Sequence, residues 1–131
     1  MARASLWGEP GAMDETMNQR PPDNEVRLRG RVSGAPETRA LPSGDELVSL
    51  RIVVPRSAAA RRRSRVGIDT IELTAWSSAL RRKVSRLAEG DVVEVTGELR
   101  RRFTRGSAGV MSFVGVDLLT CDRVRQATTA R

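Results

Sequence analysis

Five stretches of this chain have the pattern of β-strands, and in three of them apolar and polar residues alternate with a period of two; this constrains its fold more than any other feature. Successive side chains of a β-strand point to opposite faces, so each alternating stretch predicts a half-buried strand. In the first stretch the two faces are Val26, Leu28, Gly30 and Val32 against Glu25, Arg27, Arg29 and Arg31. The predicted strands lie at residues 24–34, 47–55, 68–76, 91–103 and 110–121.

One short helix is predicted between the third and fourth strands. Ser77 or Ser78 suits its N-cap, and Gly90 favours its end. Its apolar residues share one face at helical spacing: Leu80, Val84 and Leu87. The resulting order, β-β-β-α-β-β, is that of an all-β, five-stranded OB-fold, a Greek-key barrel. Other small barrels share such patterns, so strand order alone leaves the fold open.

The composition divides the chain into three parts. Residues 1–23, which include Trp7, have no sustained period and contain Gly and Pro, so we expect a disordered leader. Residues 24–124 hold all the predicted strands and form the expected single domain. Residues 125–131 form a polar tail. Within the domain, turn residues predict loops at 35–46 and 104–109, and a basic loop at 56–67 whose alanines favour at most a short helical turn.

The charge of the chain favours a polyanion as partner. Lys and Arg number 23 against 16 Asp and Glu, which gives a formal net charge of +7, and nearly all the cations are arginine. Arginine binds phosphate through a planar, bidentate fork and also stacks on π faces. Such a balance is typical of nucleic-acid-binding domains. A soluble basic protein from a GC-rich genome has the same composition, so both interpretations are open.

The scarcity of Cys and His limits the chemistry of the chain. It has no His and only Cys121, so it lacks the means for an internal disulfide or a zinc site. A reduced cytosol is the expected compartment. No apolar run approaches the roughly 18 residues of a membrane helix, and the N-terminus lacks a signal-peptide pattern. We therefore expect a cytoplasmic protein without a metal, a cofactor or a membrane partner.

Trp76 stands on the polar side of the third predicted strand. Ile71, Leu73 and Ala75 form the apolar face, whereas Thr74 and Trp76 belong to the other. Trp is rare here, with two in the chain. The Trp76 ring either closes the end of the barrel, lies in a subunit contact, or is an exposed platform. The strand alone does not distinguish these hypotheses.

Three segments together resemble bacterial single-stranded DNA-binding proteins. Residues 24–54 combine an Asn, an apolar-Gly-Arg strand and a loop with Pro-Glu-x-Arg and Pro-Ser-Gly. Residues 74–103 follow the family's order of strand, helix, Gly-Asp and strand. Residues 113–119, FVGVDLL, resemble its closing Val-x-Ala-Asp strand, with Val116 where Ala is usual. The resemblance covers residues 24–124 and depends on the order and spacing of these motifs.

The resemblance implies an OB-fold on which bases of single-stranded DNA stack on aromatic side chains while basic loops hold the backbone. It implies a homo-oligomer, a tetramer or dimer, that protects single strands during DNA replication, recombination or repair at the nucleoid. The chain departs from the family at Thr70 and at Pro55-Arg56, where aromatics are usual, and it lacks the acidic C-terminal tip. These departures indicate a divergent paralogue, of actinobacterial type, that does not recruit partners through such a tip.

Two aromatic residues and two arginine clusters form the predicted site. Trp76 and Phe103 match stacking positions of the family. The predicted backbone contacts are Arg56, Arg61, Arg62, Arg63 and Arg65 after the second strand, and Arg100, Arg101, Arg102 and Arg105 beside Phe103. The arginines of the first strand have two interpretations, as part of the binding face or of a subunit interface: Arg27, Arg29 and Arg31.

Three other functions are alternatives. A primosome-type accessory protein would keep the fold and act mainly through protein contacts, and an RNA-binding OB protein would use the same surface for RNA. A nuclease needs several carboxylates converging on a metal ion. The available carboxylates lie at strand edges or turns, or alternate with core residues, so we expect that they do not converge on a metal ion and that the protein is not an enzyme. They are Asp69, Glu72, Asp91, Glu94 and Asp117.

Overall fold

The computed structural model describes residues 23–127. The predicted leader, with the exception of Asp23, and residues 128–131 of the predicted tail lie outside the described residues. The elements are β1 (Val26–Ala40), β2 (Glu46–Pro55), α1 (Ala58–Arg63), β3 (Ile68–Ala75), α2 (Ser78–Ser85), β4 (Val92–Gly106) and β5 (Gly109–Arg125). The prediction of five strands with a helix between the third and fourth is confirmed.

The five strands close into a barrel in the order β1-β2-β3-β5-β4, and β1 pairs with β4 to complete it. Neighbouring strands are antiparallel except β3 and β5, which run parallel where residues 72–74 lie beside residues 115–117. Closure leaves few free strand edges. The predicted five-stranded Greek-key barrel is therefore confirmed, with its strands in the predicted order along the chain.

The core consists of the apolar faces that the alternation predicted. Leu73 and Ala75 of β3 and Val93 and Val95 of β4 are buried together inside the barrel. Helix α2 lies against this core through the predicted face, with Val84 fully buried. The hydroxyl of Ser77 caps the helix by accepting a hydrogen bond from the Leu80 N–H at 3.2 Å.

Strand β1 bends so that it pairs with two neighbours in turn. Its first half pairs with β4 up to Arg31, and from Arg31 onward it pairs with β2. Gly30 lies at this change of partner, where an added Cβ would stand 2.7 Å from the Val53 carbonyl oxygen. The register then shifts between Ser33 and Glu37, and β1 continues to Ala40. The predicted 35–46 loop is therefore strand up to Ala40, since a bulge accommodates Gly34 and Pro36, and the turn is confined to residues 41–45.

Strands β4 and β5 continue beyond the barrel as a two-stranded arm, which we define as residues 100–115. Pairing runs out to Gly106 and Gly109, so the turn is shorter than the predicted 104–109 loop. β5 pairs with β3 only at residues 115–117, so the arm is held by its own ladder. The side chain of Asn24 pins its base by bonding both the N–H and the carbonyl of Leu99, at 2.9 and 3.1 Å.

The segment between β2 and β3 contains a helix rather than a loop alone. α1 has six residues, and the Ser57 hydroxyl caps it by accepting from the Ala60 N–H at 3.2 Å. No residue of α1 is buried. The Arg61 Nε donates to the Arg56 carbonyl at 3.1 Å, which folds the segment back on its start. A cap and one local bond thus hold a helix for which the sequence offered no apolar face.

Asp91 fixes the far end of the barrel. Its carboxylate is fully buried and accepts hydrogen bonds from the Ala88 N–H at 2.9 Å and the Ala127 N–H at 2.7 Å. The Arg123 guanidinium lies 3.6 Å away. These backbone donors, with Arg123, hold the pKa of Asp91 below its ordinary value although burial opposes this. Asp91 therefore ties the end of β5 to the turn before β4.

Candidate nucleic-acid interface

A groove crosses the outer face of the barrel between the arm and strands β2 and β3. It combines a hollow of about 440 Å³ with an adjoining one of about 330 Å³, and the two share Arg39, Ser49 and Glu72. Ser49 and Thr74, paired across β2 and β3, give it a floor of short side chains. The arm contributes four lining residues: Arg102, Phe103, Thr104 and Phe113. Rings and a guanidinium above a small polar floor leave room for a flat ligand.

Asp117 organises the edge of this groove. The carboxylate lies on β5, pairs across to Thr74 of β3, and is about one-fifth exposed at 19%. It accepts from Arg102 Nη2 at 2.8 Å, from Arg100 Nε at 2.9 Å and from the indole N–H of Trp76 at 3.3 Å. We call Asp117 with these three partners the Asp117 cluster. One anion thus fixes two guanidinium groups and an indole next to each other.

Trp76 is exposed at this edge, with 36% of its surface accessible. It follows β3 directly and precedes the Ser77 cap of α2, so its backbone is held between two elements. The Arg81 guanidinium donates to its carbonyl oxygen. The indole is held by its N–H edge, while about a third of the residue's surface is open to solvent.

The two phenylalanines of the chain line the groove from the arm. Phe103 is 65% exposed and Phe113 41% exposed, on β4 and β5 respectively. The guanidinium carbon of Arg101 lies 5.6 Å from the centroid of the Phe103 ring, within range of a cation–π contact. Large exposed rings beside cations are the surfaces that stack with nucleobases.

The arginines of the arm differ in their availability. Arg100 and Arg102 are bound to Asp117, and Arg100 also bonds Glu98 at 3.2 Å. Arg101 and Arg105 are exposed and form no ion pair with any residue that the structure describes. Part of the arm's positive charge is therefore neutralised internally, and part is free to meet an anion.

The loop arginines lie at the opposite end of β3 from Trp76. Arg56 forms a two-point ion pair with Asp69, at 3.1 and 2.8 Å, which lowers the pKa of Asp69. Asp69 of this pair and Trp76 are seven residues apart along β3, which corresponds to about 23 Å at about 3.3 Å per residue. Three arginines beyond it are exposed and form no ion pair within residues 23–127: Arg62, Arg63 and Arg65.

The carboxylates considered for a nuclease have other partners. Asp69 and Asp117 bind arginines, and Asp91 binds backbone N–H groups. Among the described residues, no three His, Cys, Asp or Glu side chains come together in a way that suits a metal ion.

Burial raises the pKa of the Cys121 thiol to about 11. Helices long and apolar enough to cross a membrane are absent from the part of the chain that the structure describes.

The sequence matches the model of the single-strand binding protein family over residues 23–114, from the start of β1 into the arm. The chain belongs to this family. Its function at the level of the family is therefore single-stranded DNA binding, and the resemblance predicted from its motifs is confirmed.

A solved structure, described as a Plasmodium falciparum SSB complex with ssDNA, has a similar fold. The TM-score is 0.66 at 18% sequence identity, over 79% of this chain and 94% of that chain. This confirms the predicted OB-fold. A comparison with curated proteins finds none that matches the chain.

The structure brings the predicted site residues together in two places. Trp76, Phe103 and the arm arginines lie in or beside the groove, whereas the arginines of residues 56–65 lie at the opposite end of β3 from Trp76. Sequence reasoning missed Phe113 and Arg39 as lining residues of the groove, and it missed Asp117 as the residue that holds the side chains at its edge. Phe113 was detectable, because it alternates with Gly115 and Asp117 and so belongs on the outer face of β5.

Proposed function

We propose that this protein binds single-stranded DNA without sequence preference, by stacking bases on exposed rings while arginines hold the backbone. The observation that carries the proposal is the Asp117 cluster, in which an exposed indole and two guanidinium groups share one carboxylate beside the groove. Every base has a π face and every nucleotide carries a phosphate, so such a surface accepts any sequence.

The stacking surfaces in this proposal are Trp76, Phe103 and Phe113. Each base stacked on an aromatic ring contributes about 1–3 kcal/mol. The N–H bond from Trp76 to Asp117 fixes the indole before a base arrives, so less conformational entropy is lost on binding. The planar guanidinium of Arg102, which also lines the groove, offers a further surface for stacking.

The backbone contacts in this proposal come from the exposed arginines that form no ion pair within the described residues. In the loop these are Arg62, Arg63 and Arg65, and on the arm Arg101 and Arg105. Arg56 and Arg61 hold the loop in shape through Asp69 and the Arg56 carbonyl, so we assign them a supporting role. Contacts of this kind bind the phosphate chain and are weakened by salt.

The proposed binding unit is residues 24–124, acting as a homo-oligomer in the cytoplasm at the nucleoid. It covers single strands exposed in replication, recombination or repair, and uses neither catalysis, nor metal, nor cofactor. Membership of a nucleic-acid-binding family supports this role. The exposed arginines and rings of the groove support it independently, because they suit binding of a strand rather than chemistry on it.

The test is Trp76→Ala against Trp76→Phe, measured by anisotropy of labelled oligo-dT. The Ala variant is expected to bind about 5- to 150-fold more weakly, which corresponds to a loss of about 1–3 kcal/mol. The Phe variant keeps a π face and is expected to retain most of the affinity. Val124→Ala is the matched control, since it also removes an exposed apolar side chain from outside the groove. Wild-type affinity of the Ala variant would remove Trp76 from the site.

Duplex DNA and RNA of equal length separate the alternative functions. The proposal expects oligo-dT to bind more tightly than duplex DNA, with affinity falling as salt rises. Tighter binding of RNA would favour the RNA-binding alternative. Failure of all three ligands to bind at low salt would favour an accessory protein that acts through protein contacts.

A further inference from the structure

The arm has a second face besides the one that carries Arg102 and Phe113. By strand register this face continues the interior of the barrel, because it starts at the pair of Leu99 and the buried Val116. Beyond this pair the barrel no longer covers it. Its four large apolar side chains are between 48% and 65% exposed, and two arginines lie among them on the same face. We call this surface the arm strip; it consists of Leu99, Arg101, Phe103, Arg105, Val110 and Val114.

Apolar and cationic side chains alternate along the arm strip. On β4, Leu99, Arg101 and Phe103 follow one another at about 6.6 Å, which is twice the rise per residue. Neither Arg101 nor Arg105 forms an ion pair within the part of the chain that the structure describes. A contiguous patch of exposed apolar side chains marks an interaction site. The two unpaired cations favour an occupant that carries both apolar groups and negative charge.

The leader of the chain is attached at the base of this strip. The side chain of Asn24 bonds the backbone of Leu99, at 2.9 and 3.1 Å, and residues 1–22 precede this anchor. Met17 and Met13 precede Asn24 by seven and eleven residues, which span up to about 23 and 36 Å when extended. The strip is about 20 Å long on β4, so both methionines can reach it. A segment tethered in this way has an effective concentration in the millimolar range, so that a weak contact is sufficient.

We propose that residues 13–17 of the leader dock on the arm strip of their own chain. The segment reads Met-Asp-Glu-Thr-Met. In an extended conformation Met13, Glu15 and Met17 share one face, again at about 6.6 Å. The segment thus offers an apolar, anionic, apolar series at the same spacing as the apolar, cationic, apolar series of the strip.

The position of the tether sets the order of the contacts. Because the chain runs back from its anchor at the base of the arm, Met17 reaches the strip nearest to that base. Glu15 then faces Arg101, and the pair forms across an exposed surface, where it adds specificity more than affinity. Met13 faces the Phe103 ring, and a thioether beside an aromatic ring is a favourable contact.

The docked leader competes with DNA, because Phe103 belongs to the strip and also lines the groove. This consequence rests on the proposed function, in which Phe103 stacks a base, whereas the docking itself does not. A tethered competitor at about 1 mM whose own dissociation constant is about 0.1–1 mM weakens DNA binding about 2- to 10-fold. The leader therefore lowers the affinity for single strands without changing the site.

A second arm is a less suitable occupant of the strip. A two-fold contact would place the same patch against itself, so that Arg101 and Arg105 would face like charges. Juxtaposed like charges oppose association. Docking of the leader of another copy is an outcome of the test and not the proposal.

The experiment uses two triple variants of the full chain, each of which removes one negative charge from the same segment. The first, Met13→Ser/Glu15→Gln/Met17→Ser, changes the face that docks. The control, Ala12→Ser/Asp14→Asn/Thr16→Ser, changes the opposite face of the extended segment. Docking is measured in the wild type and the control by NOEs from the methionine ε-methyl groups to the Phe103 ring, and competition by anisotropy of labelled oligo-dT at one salt concentration.

The proposal expects these NOEs in the wild type and in the control. It also expects the first triple to bind oligo-dT about 2- to 10-fold more tightly than the control. Absence of the NOEs from the wild type would overturn the docking, and so would NOEs found only between differently labelled copies. Equal affinity of the two triples would overturn the competition, since the leader would then act through its charge alone. If the wild type fails to bind oligo-dT, the proposed function fails, and the NOEs still decide the docking.

Discussion

Replacing Asp117 by Asn tests whether an internal carboxylate competes with phosphate for the arginines of the groove. Asp117 accepts hydrogen bonds from Arg100, Arg102 and Trp76, and the side chains of the two arginines are 54% and 35% exposed. Asn keeps the size of the side chain and one acceptor oxygen but removes the negative charge. Arg100 keeps Glu98 as a partner, whereas Arg102 loses the only ion pair it forms in the described structure.

The expected change in DNA affinity follows from the release of one arginine, Arg102, from its ion pair with Asp117. If Arg102 then binds a phosphate, the salt slope for oligo-dT becomes steeper by about 0.7. For a sixfold fall in salt, from about 0.3 to about 0.05 M, the affinity of the variant relative to wild type should rise about 3.5-fold. Folding stability should change in the opposite direction. We expect a loss of about 1–2 kcal/mol, between the values for exposed ion pairs and for charged hydrogen bonds.

The assay is anisotropy of labelled oligo-dT across a salt series, with urea unfolding for stability. Asp122 lies on the same strand as Asp117 but pairs with Lys83, at 2.9 Å, outside the groove. Asp122→Asn removes the same charge and is therefore the matched control. A slope for Asp117→Asn that equals that of Asp122→Asn, or is shallower than wild type, would refute the competition between Asp117 and phosphate.

Two further predictions concern the loop and the buried carboxylate. Replacing Arg61, Arg62 and Arg63 by Ala keeps the helix propensity of α1 and is expected to flatten the salt slope by up to about 1.4, or about 0.7 for each of Arg62 and Arg63, equally for all sequences. An unchanged slope would mean that the loop does not touch phosphate. Asp91→Asn is expected to lower the free energy of unfolding at pH 7 by about 1–3 kcal/mol, since it leaves a buried N–H donor without its acceptor. Because the folded pKa of Asp91 lies below its ordinary value of 3.8, its contribution is present above that value and is lost as the pH falls through the folded pKa. The difference between wild type and variant in urea unfolding should therefore shrink below about pH 4, and a constant difference would contradict this account.

The alternation of the sequence predicted the strands and the core because burial of one face fixes which residues point inward. Leu73, Ala75 and Val95 follow this rule. The ends of strands were predicted less well, because local turn residues do not reveal a ladder that continues past them. Gly34 adopts φ of 81° in β1, where a register shift lets the strand go on rather than turn.

The site was only partly predictable for a different reason. Aromatics on the polar face of a strand and clustered arginines stand out in a sequence, and Trp76, Phe103 and Arg102 were predicted as site residues in this way. Asp117 was not, because its three partners come from β4 and from the residue after β3, and such long-range contacts leave no periodic signal. Phe113 was missed because it lies in a stretch whose apolar residues suggest a core, although the arm exposes them.

The arm has a consequence for how proteins of this kind can be altered. From Arg101 to Val114 the backbone of the arm pairs only between β4 and β5, so the length of the arm is independent of the closure of the barrel. Lengthening or shortening each strand of the arm by two residues at a time keeps every remaining side chain on its present face. Arms of graded length, grafted onto one unchanged barrel, would give a series in which the reach along a strand is the only variable.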